Sequence, residues 1–247
     1  MRYPISRFAG TAALGACLAL GMIVSTWIGA RTVLRIKVRD TTIRVKGFAE
    51  RRIDADIAVW SGDLTTRDAD LATAMAQMEA HRARLLDYLA TMGFEHASVG
   101  VAAVGIDKLY RTGETRMRTN EIEQYVLKQH FEVKAGDVRR IAATATQSSG
   151  LLKEGIELAS QTPRYLFTRL NDLKLDLLEE ATRNARARAE RLIAGSGSRI
   201  GMLRKASQGV FQITPAHSTR VSDYGENDTT RIEKSVRAVV TIEYEVE

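Results

Sequence analysis

Residues 235–246, SVRAVVTIEYEV, decide how the rest of the chain is interpreted. Apolar side chains occupy every second position from Val236 to Val246, and mostly polar side chains fill the positions between them. A period of two residues is the pattern of a β-strand that buries one face and exposes the other. Because parallel strands are usually buried on both faces, this pattern favours an antiparallel sheet.

Similar alternation marks the region that follows residue 40. One strand is predicted around residues 42–47, and a second, over 57–66, follows a bend near 51–54. The remaining predicted strands cover 98–110, 125–133, 164–170 and 205–214. The first two of these form an antiparallel pair across a long polar tip loop at 111–120.

A helical period of 3.6 residues appears at residues 71–92. Asp68 is the expected N-cap, Asp70 adds negative charge to the first turn, and Gly93 is the expected stop. The predicted buried face comprises Leu71, Met75, Met78, Leu85, Leu89 and Met92. Core filling explains this methionine-containing stripe better than a cofactor site does.

Two further helices are predicted in the second half. Asp137 is expected to cap a short helix, and Asn171 or Asp172 is expected to cap a long one at 173–194. The predicted inner face of the long helix comprises Leu173, Leu177, Ala181, Ala185, Arg188 and Leu192. The strands and helices together suggest two loosely repeated strand–helix–strand–strand units. We therefore predict an α+β fold of antiparallel sheets with helices on one face.

An uncharged, mostly apolar run, AGTAALGACLALGMIVSTWIGA, occupies residues 9–30. As a helix it would extend about 33 Å, close to the thickness of the hydrocarbon core of a bilayer. We therefore divide the chain into a short tail at 1–8, a transmembrane anchor at 9–30, a basic juxtamembrane linker at 31–40 and a folded domain at 41–247. The lipid bilayer is the expected partner of the anchor.

Two alternatives to an anchor remain open for this run. Arg2 and Arg7 are typical of a signal peptide, and Ile28-Gly29-Ala30 forms a weak cleavage site that ends at Ala30. A buried core helix would have a similar composition. The orientation is also open, because four cations between residues 31 and 39 would hold the folded domain in the cytoplasm by the positive-inside rule.

The composition is that of a folded protein. A hydrophobic content of 45% and a charged content of 27% exclude a largely disordered chain. The net charge of +6 permits an anionic membrane or a nucleic acid as partner, but the cations are dispersed among acids, which favours a solvated basic surface. Cys17, within the apolar run, is the single cysteine, so the folded domain contains no disulfide bond.

The sequence contains no residue pattern typical of catalysis. The histidines lack metal-ligand spacing and a cysteine partner; they are His81, His96, His130 and His217. Neither a G-x-x-x-x-G-K-[ST] phosphate loop nor a G-x-S-x-G nucleophile turn occurs. We therefore expect a protein that is not an enzyme, with no catalytic, cofactor-binding or metal-binding residues and no cofactor.

Four arginines between residues 183 and 191 are the strongest candidate for a nucleic-acid contact. Glu179, Glu180 and Glu190 lie beside or among them, at spacings that form salt bridges within a helix. Aromatic residues that could stack on bases do not interrupt the run. We therefore expect no nucleic-acid partner and consider a protein neighbour more consistent with this helix face.

Several motifs in fixed order resemble the SIMPL domain family. They are TIRVKG at 42–47 with Glu50, Ala55 and Asp56, EEA at 179–181, NAR at 184–186, AE at 189–190, Gly201, KASQG at 205–209 and the last strand. The resemblance covers 41–247 and implies a bacterial periplasmic or membrane-anchored protein, of the kind described as periplasmic immunogenic or oxidative-stress defence proteins. Some members resemble ring-like, channel-shaped homo-oligomers, and the family implies no catalytic residues.

The expected function follows from the anchor and this resemblance. We expect a single-pass protein of the bacterial inner membrane, with a periplasmic domain that self-assembles into a ring- or cage-like homo-oligomer linked to stress defence. The alternative is a binding module that holds a small ligand or an envelope protein through its long loops at 111–120 and 215–230.

Overall fold

The computed structural model describes residues 5–38, 41–112, 118–218, 220 and 222–247. Within these ranges the helices are α1 (Ile5–Val38), α2 (Leu71–Thr91), α3 (Val138–Gln147), α4 (Ser149–Lys153) and α5 (Leu170–Ile193). The strands are β1 (Thr42–Asp54), β2 (Ile57–Asp68), β3 (Val99–Val101), β4 (Gly105–Thr112), β5 (Arg118–Ala135), β6 (Glu157–Ser160), β7 (Arg164–Leu166), β8 (Ile200–Gln208), β9 (Gln212–Pro215), β10 (Glu226–Asn227) and β11 (Glu233–Val246).

The strands form two sheets. The first has the order β1-β11-β9-β10, and β8 also pairs with β11. The second has the order β3-β5-β2-β6, with β4 on β5 and β7 on β2. Pairings of known register are antiparallel except that of β9 with β10. The predicted α+β class with antiparallel sheets is therefore confirmed, whereas the strand–helix–strand–strand repeat stays a prediction.

Strand β11 has the alternation that its sequence predicts. Its buried apolar side chains are Val236, Ala238, Val240, Ile242 and Tyr244. Residues 240–246 pair with β8, and residues 234–237 pair with β9. The strand is central in its sheet because its backbone is hydrogen-bonded on both sides, which explains why its period-two pattern is so regular.

The described chain divides into two compact units. The first comprises Met1–Phe48, Glu179–Gly209 and Val239–Glu247. The second comprises Ala49–Leu178 and Val210–Ala238. Each unit is described by itself below.

In the second unit, one hydrophobic core joins the second sheet to α2, α3 and α4. Trp60 and Phe131, on the paired strands β2 and β5, meet edge to face with ring centroids 5.1 Å apart. Met78 of α2, Ile141 of α3 and Leu151 of α4 are almost fully buried in the same core. These helices cover the face of the sheet that carries the apolar residues, in agreement with the predicted arrangement.

Helix α2 corrects two details of the prediction. Asp70, not Asp68, is the N-cap, because its carboxylate accepts the Thr73 N–H at 2.8 Å. Asp68 instead accepts hydrogen bonds from the Asp70 N–H and the Gln77 amide. Of the predicted inner face, Met78, Leu85 and Leu89 are buried and Met75 and Met92 pack against the core, whereas Leu71 is exposed. Ala74 and Tyr88 are also buried. Gly93 has a φ of 83° and ends the helix, as predicted.

In the first unit, β1 lies unusually close to α5. A side-chain carbon placed on Gly47 would stand 2.1 Å from the Ala181 carbonyl oxygen and 2.6 Å from the Ala185 N–H nitrogen. Ala181, Ala185 and Ala189 recur every four residues along the buried side of α5. A strand glycine facing helix alanines allows the two backbones to approach closely, and no other residue type fits at position 47 without displacement.

The buried face of α5 differs from the prediction in its last turns. Ala189 and Ile193 are buried where the sequence suggested Arg188 and Leu192, because the helix continues with strict four-residue spacing. The helix begins at Leu170, so Asn171 and Asp172 lie in its first turn and are not its cap. The helix after Asp137 is confirmed, since the Asp137 carboxylate accepts the Arg140 N–H at 2.9 Å.

Several strand boundaries also differ from the sequence pattern. The predicted strand at 98–110 is divided into β3 and β4, and the strand at 205–214 into β8 and β9, where the Gly209 N–H turns to the Val239 carbonyl. Strand β7 is shorter than predicted because Thr168 folds back onto the Asp56 carboxylate. Strand β6 has no counterpart in the prediction.

The predicted tip loop at 111–120 is much shorter than expected. Thr112 pairs with Arg118, so β4 and β5 form a ribbon that extends to both residues. The rest of the predicted loop, at 113–117, lies outside the described residues.

Helix α1 contains one segment, Gly15–Thr32, that is long and apolar enough to cross a membrane. The side chains described in this segment are exposed, including Met22 and Trp27. The Arg31 guanidinium lies 3.8 Å from the centre of the Trp27 ring, at the carboxy-terminal end of the segment. The helix continues to Val38, through most of the predicted linker at 31–40.

Candidate functional site

An open cleft in the second unit is the strongest candidate for a site. Its volume is about 590 Å³, within the range of small-molecule pockets. The lining residues are Tyr165, Pro215, Ala216, His217, Thr230, Arg231, Ile232 and Glu233. They come from β7, from the end of β9, from the start of β11 and from the segment at 216–232 that joins β9 to β11. The cleft therefore lies where this segment leaves β9 and enters β11.

Backbone hydrogen bonds hold the walls of the cleft together. The Ala216 N–H donates to the Glu233 carbonyl at 3.2 Å, which continues the pairing of β9 with β11. The Tyr165 N–H donates to the Thr229 carbonyl at 2.7 Å and ties β7 to the same segment. The cleft is therefore bounded by ordered strand ends.

His217 has an unusual backbone conformation at the mouth of the cleft. Its φ is 68°, in the left-handed region that residues other than glycine seldom adopt. Its ring Nδ1 lies 3.3 Å from a guanidinium nitrogen of Arg52. Because guanidinium can only donate, Nδ1 acts as the acceptor and the ring proton lies on Nε2. The Nε2–H is then a donor at an exposed position.

The charges around the cleft favour an anion. Arg231 lines it, Arg52 stands beside His217, and Glu233 supplies one opposing charge. The balance is one positive charge, and the His217 Nε2–H is a further donor. A carboxylate or a phosphate group matches this set of donors. The geometry therefore supports the binding of a small anion.

Buried polar side chains fix the segment above the cleft. Lys234 is almost fully buried, and its ammonium donates to both the backbone carbonyl and the carboxylate of Asp228. Burial lowers the pKa of Lys234, and the charge of Asp228 opposes this effect in part. Burial acts to raise the pKa of Asp228, but hydrogen bonds from Thr230 and the Lys234 charge outweigh it and the pKa is lowered.

A second contact fixes the segment from β9. The buried Gln212 amide bonds the backbone of Ser222 in both directions, accepting its N–H and donating to its carbonyl. The predicted loop at 215–230 is therefore attached to the sheet at Ser222 and at Asp228. No motif in the sequence marks Lys234, because its burial depends on how the fold places Asp228 beside it.

The four histidines considered from the sequence lie apart. His130 pairs with the Asp63 carboxylate at 2.9 Å on the polar face of the second sheet, and His81 lies within α2. Only His217 borders the cleft, and the side chain of His96 lies outside the described residues. Among the described residues, no group of three His, Cys, Asp or Glu side chains could hold a metal ion.

The arginine-rich run of α5 forms the salt bridges that its spacing predicts. Arg183 pairs with Glu179, and Arg186 pairs with Glu190 at 3.0 Å. Arg188 has a different role, since it donates to the Lys46 carbonyl at 3.1 Å and lies 5.1 Å from the centre of the Phe48 ring.

Residues that carried the family resemblance contact one another. Gly47 faces Ala181 and Ala185, and the Asn184 amide oxygen accepts the Phe48 N–H at 3.2 Å. In the second unit, the Asp56 carboxylate accepts two hydrogen bonds from Thr168. Glu50 accepts hydrogen bonds from Arg237 and Ser235, which lower its pKa. These motif residues therefore hold strands, a helix and a turn in place.

The fold and the site define a class of protein. It is an α+β chain with a helix of membrane-crossing length, motif residues that hold its strands and helix in place, and an open polar cleft. The model of the SIMPL family, described as "Protein of unknown function (DUF541)", matches residues 43–244. The chain therefore belongs to the SIMPL family. No curated protein gives a significant match to it.

Proposed function

We propose that this chain is a membrane-tethered, non-enzymatic SIMPL protein whose folded region self-assembles into a ring- or cage-like homo-oligomer. The tether would be α1, in a single pass through a bacterial inner membrane, with the folded region in the periplasm. A role in envelope stress defence fits what the family resemblance implies.

The observation that carries the assembly proposal is the accessibility of the outer sides of strands β4 and β8. Both are end strands of their sheets, and their residues are almost all exposed. An exposed sheet edge presents backbone donors and acceptors in the spacing that another strand requires. Identical copies displaying identical edges associate most simply into closed, symmetric oligomers.

The helix α1 supports the tether. Its described large apolar side chains, from Leu18 to Ile28, are at least half exposed and form an apolar surface of membrane-crossing length. The Trp27–Arg31 pair at one end of the segment is of the type that anchors helices at the membrane interface. Several such helices in one assembly would increase its affinity for the membrane.

The decisive experiment measures the mass of the detergent-extracted full chain by light scattering. We expect a discrete oligomer at micromolar concentration, after correction for bound detergent. A monomer across the accessible concentration range would refute the assembly proposal. A periplasm-dependent reporter fused after Glu247 tests the orientation, and activity only in the cytoplasm would contradict it.

The cleft favours a second candidate function, the binding of a small anionic ligand. Arg231 and the exposed His217 both line one open volume. Calorimetric titration with inorganic phosphate and with citrate tests this function. We expect Arg231→Gln to weaken binding about tenfold, because a charge-assisted hydrogen bond contributes about 1.5–3 kcal/mol. The matched control is Arg139→Gln on the exposed side of α3. Binding unchanged by Arg231→Gln would contradict this candidate.

A further inference from the structure

The edges of the two sheets differ in how they could receive another strand. The backbone of β1 is partly occupied by α5, because its Phe48 N–H donates to Asn184 and its Lys46 carbonyl accepts from Arg188. Strand β8 carries Arg204 and Lys205 and no acidic residue of its own, and Arg204 already pairs with Glu245 of β11, so β8 offers no carboxylate to a second copy. Basic residues on an edge strand are a common protection against such pairing. Strand β10 has only two residues.

Strand β4 also carries basic residues, Lys108 and Arg111, but its Asp107 supplies a carboxylate that β8 lacks. It has eight residues without proline, and its sequence, GIDKLYRT, carries charges of both signs. Ile106 and Leu109 are about half exposed, at 54% and 51%. A long edge strand with exposed apolar side chains and mixed charges is the type that pairs with a partner strand.

Backbone geometry restricts how two copies of β4 can pair. In a strand, successive residues direct their N–H and C=O groups to opposite sides, so only alternate residues bond outward. The pairing of β4 with β5 shifts register between Leu109 and Tyr110 and between Tyr110 and Thr112, and the additional residues lie in β5, so β4 itself stays continuous. A two-fold axis relates the two copies, so residues that face each other must have the same outward direction. The axis therefore passes through one residue of β4, which faces the same residue of the second copy. Residues at equal distances before and after that residue then face each other across the axis.

Charge selects one position for this axis. An axis at Asp107 or at Lys108 places two like charges directly opposite each other, which destabilises a strand pair. An axis at Leu109 places Asp107 opposite Arg111 of the second copy, and this pair occurs twice. The same register brings the two exposed Leu109 side chains together at the centre.

The existing partners of these charges leave them available. Asp107 lies 3.3 Å from the Lys128 ammonium, and Arg111 lies 3.3 Å from the Glu121 carboxylate. All four side chains are more than half exposed, and exposed ion pairs contribute only about 0–1 kcal/mol. Each charge can therefore share or exchange its partner at little cost.

We propose that β4 of one copy pairs antiparallel with β4 of a second copy about a two-fold axis at Leu109. The inference rests on the proposed self-assembly and names one of its interfaces. The pairing joins two six-stranded sheets into one continuous sheet of a dimer. Because a two-fold contact closes on itself, a larger ring would combine this dimer with a different contact.

A symmetric disulfide tests the proposed axis. In the full chain in detergent, Cys17→Ser removes the native thiol and Leu109→Cys places one thiol at the axis. Facing side chains of antiparallel strands have Cβ atoms about 4.5–5.5 Å apart, near the range that a disulfide spans. We expect mild oxidation to produce covalent dimer in most of the protein. The matched control, Ser207→Cys on the exposed edge of β8, should remain largely monomeric on a non-reducing gel.

The outcomes separate this interface from the assembly itself. An oligomer of the same mass without a Leu109→Cys cross-link would overturn the β4 interface and leave the assembly proposal intact. A monomer in light scattering would overturn both proposals.

A charge exchange provides a second test of the register. Asp107→Arg replaces two attractive pairs by two repulsive ones, and we expect it to raise the dimer dissociation constant at least about tenfold. Adding Arg111→Asp restores opposite charges at both positions and should recover most of the affinity. Unchanged association of Asp107→Arg, with an unchanged melting temperature, would overturn the proposed register.

Discussion

Replacing Gly47 by alanine tests the closest contact in the first unit. The added methyl carbon would lie 2.1 Å from the Ala181 oxygen, 2.6 Å from the Ala185 nitrogen and 2.7 Å from the Ala185 Cβ. Carbon atoms pack best at about 3.5–4.0 Å from their neighbours, so α5 and β1 must separate by about 1 Å or more. Two of the three contacts involve helix backbone, which cannot move aside by a change of rotamer.

The expected magnitude combines two opposing effects. Overpacking a close contact costs about 1–3 kcal/mol, and rigid backbone neighbours place this case at the upper end. Glycine in a strand is itself less stable than alanine by about 0.5–1 kcal/mol, which the substitution recovers. We therefore expect Gly47→Ala to destabilise the protein by about 2 kcal/mol.

Urea unfolding of the full chain in detergent, followed by circular dichroism, measures this change. The matched control is Gly100→Ala in β3, where a new methyl carbon would lie 3.8 Å from the Glu132 carbonyl oxygen. The control should be neutral or slightly stabilising. If Gly47→Ala were as stable as the control, the close contact with α5 would not exist in the folded protein.

Three further predictions concern charged and capping residues. Lys234→Met should lower the free energy of unfolding by about 3 kcal/mol in thermal unfolding, because it leaves the buried Asp228 carboxylate without its cation. Adding Asp228→Asn should recover part of this loss, and additive losses in the double variant would contradict the pairing. The pKa values of Glu50 and Asp228 are lowered in the folded protein, so both carboxylates stabilise the fold fully above about pH 4–5. This contribution to the free energy of unfolding is lost as the pH falls through the pKa values of the folded state. Glu50→Gln should therefore flatten the stability profile in acid, and an unchanged profile would exclude the Glu50 contribution. Asp70→Ala should lower the free energy of unfolding by about 1 kcal/mol, because it removes the N-cap of α2. Asp68→Ala should have a smaller effect, and a larger effect of Asp68→Ala would contradict the assignment of the cap.

Local pattern was sufficient for the elements whose environment is simple. The alternation from Val236 to Tyr244 describes a central strand with one buried apolar face, and the structure has that strand. Asp137 and Gly93 were interpreted correctly because capping depends on a few neighbouring residues. The apolar character of residues 9–30 is likewise a local property, and a helix occupies this region.

Pattern failed where a distant contact decides the outcome. Strand β7 ends early because Asp56, more than a hundred residues away, accepts hydrogen bonds from Thr168. The close approach of β1 to α5 is possible because Gly47 faces the small residues Ala181 and Ala185, more than a hundred residues away. Neither contact leaves a signal in the residues beside it.

The sequence pointed to only part of the candidate site. The loop at 215–230, considered there as a ligand contact, supplies Pro215, Ala216, His217 and Thr230, but no pattern brings Tyr165 of β7 beside them. Nor does any motif mark Lys234, because its burial against Asp228 depends on the fold. The sequence alone determined an antiparallel α+β protein with an apolar amino-terminal helix, because alternation and hydropathy depend on neighbouring residues. The tertiary structure alone decided the cleft, the closely packed Gly47 and the accessible β4 edge, because each depends on which distant segments the fold places, or does not place, beside it.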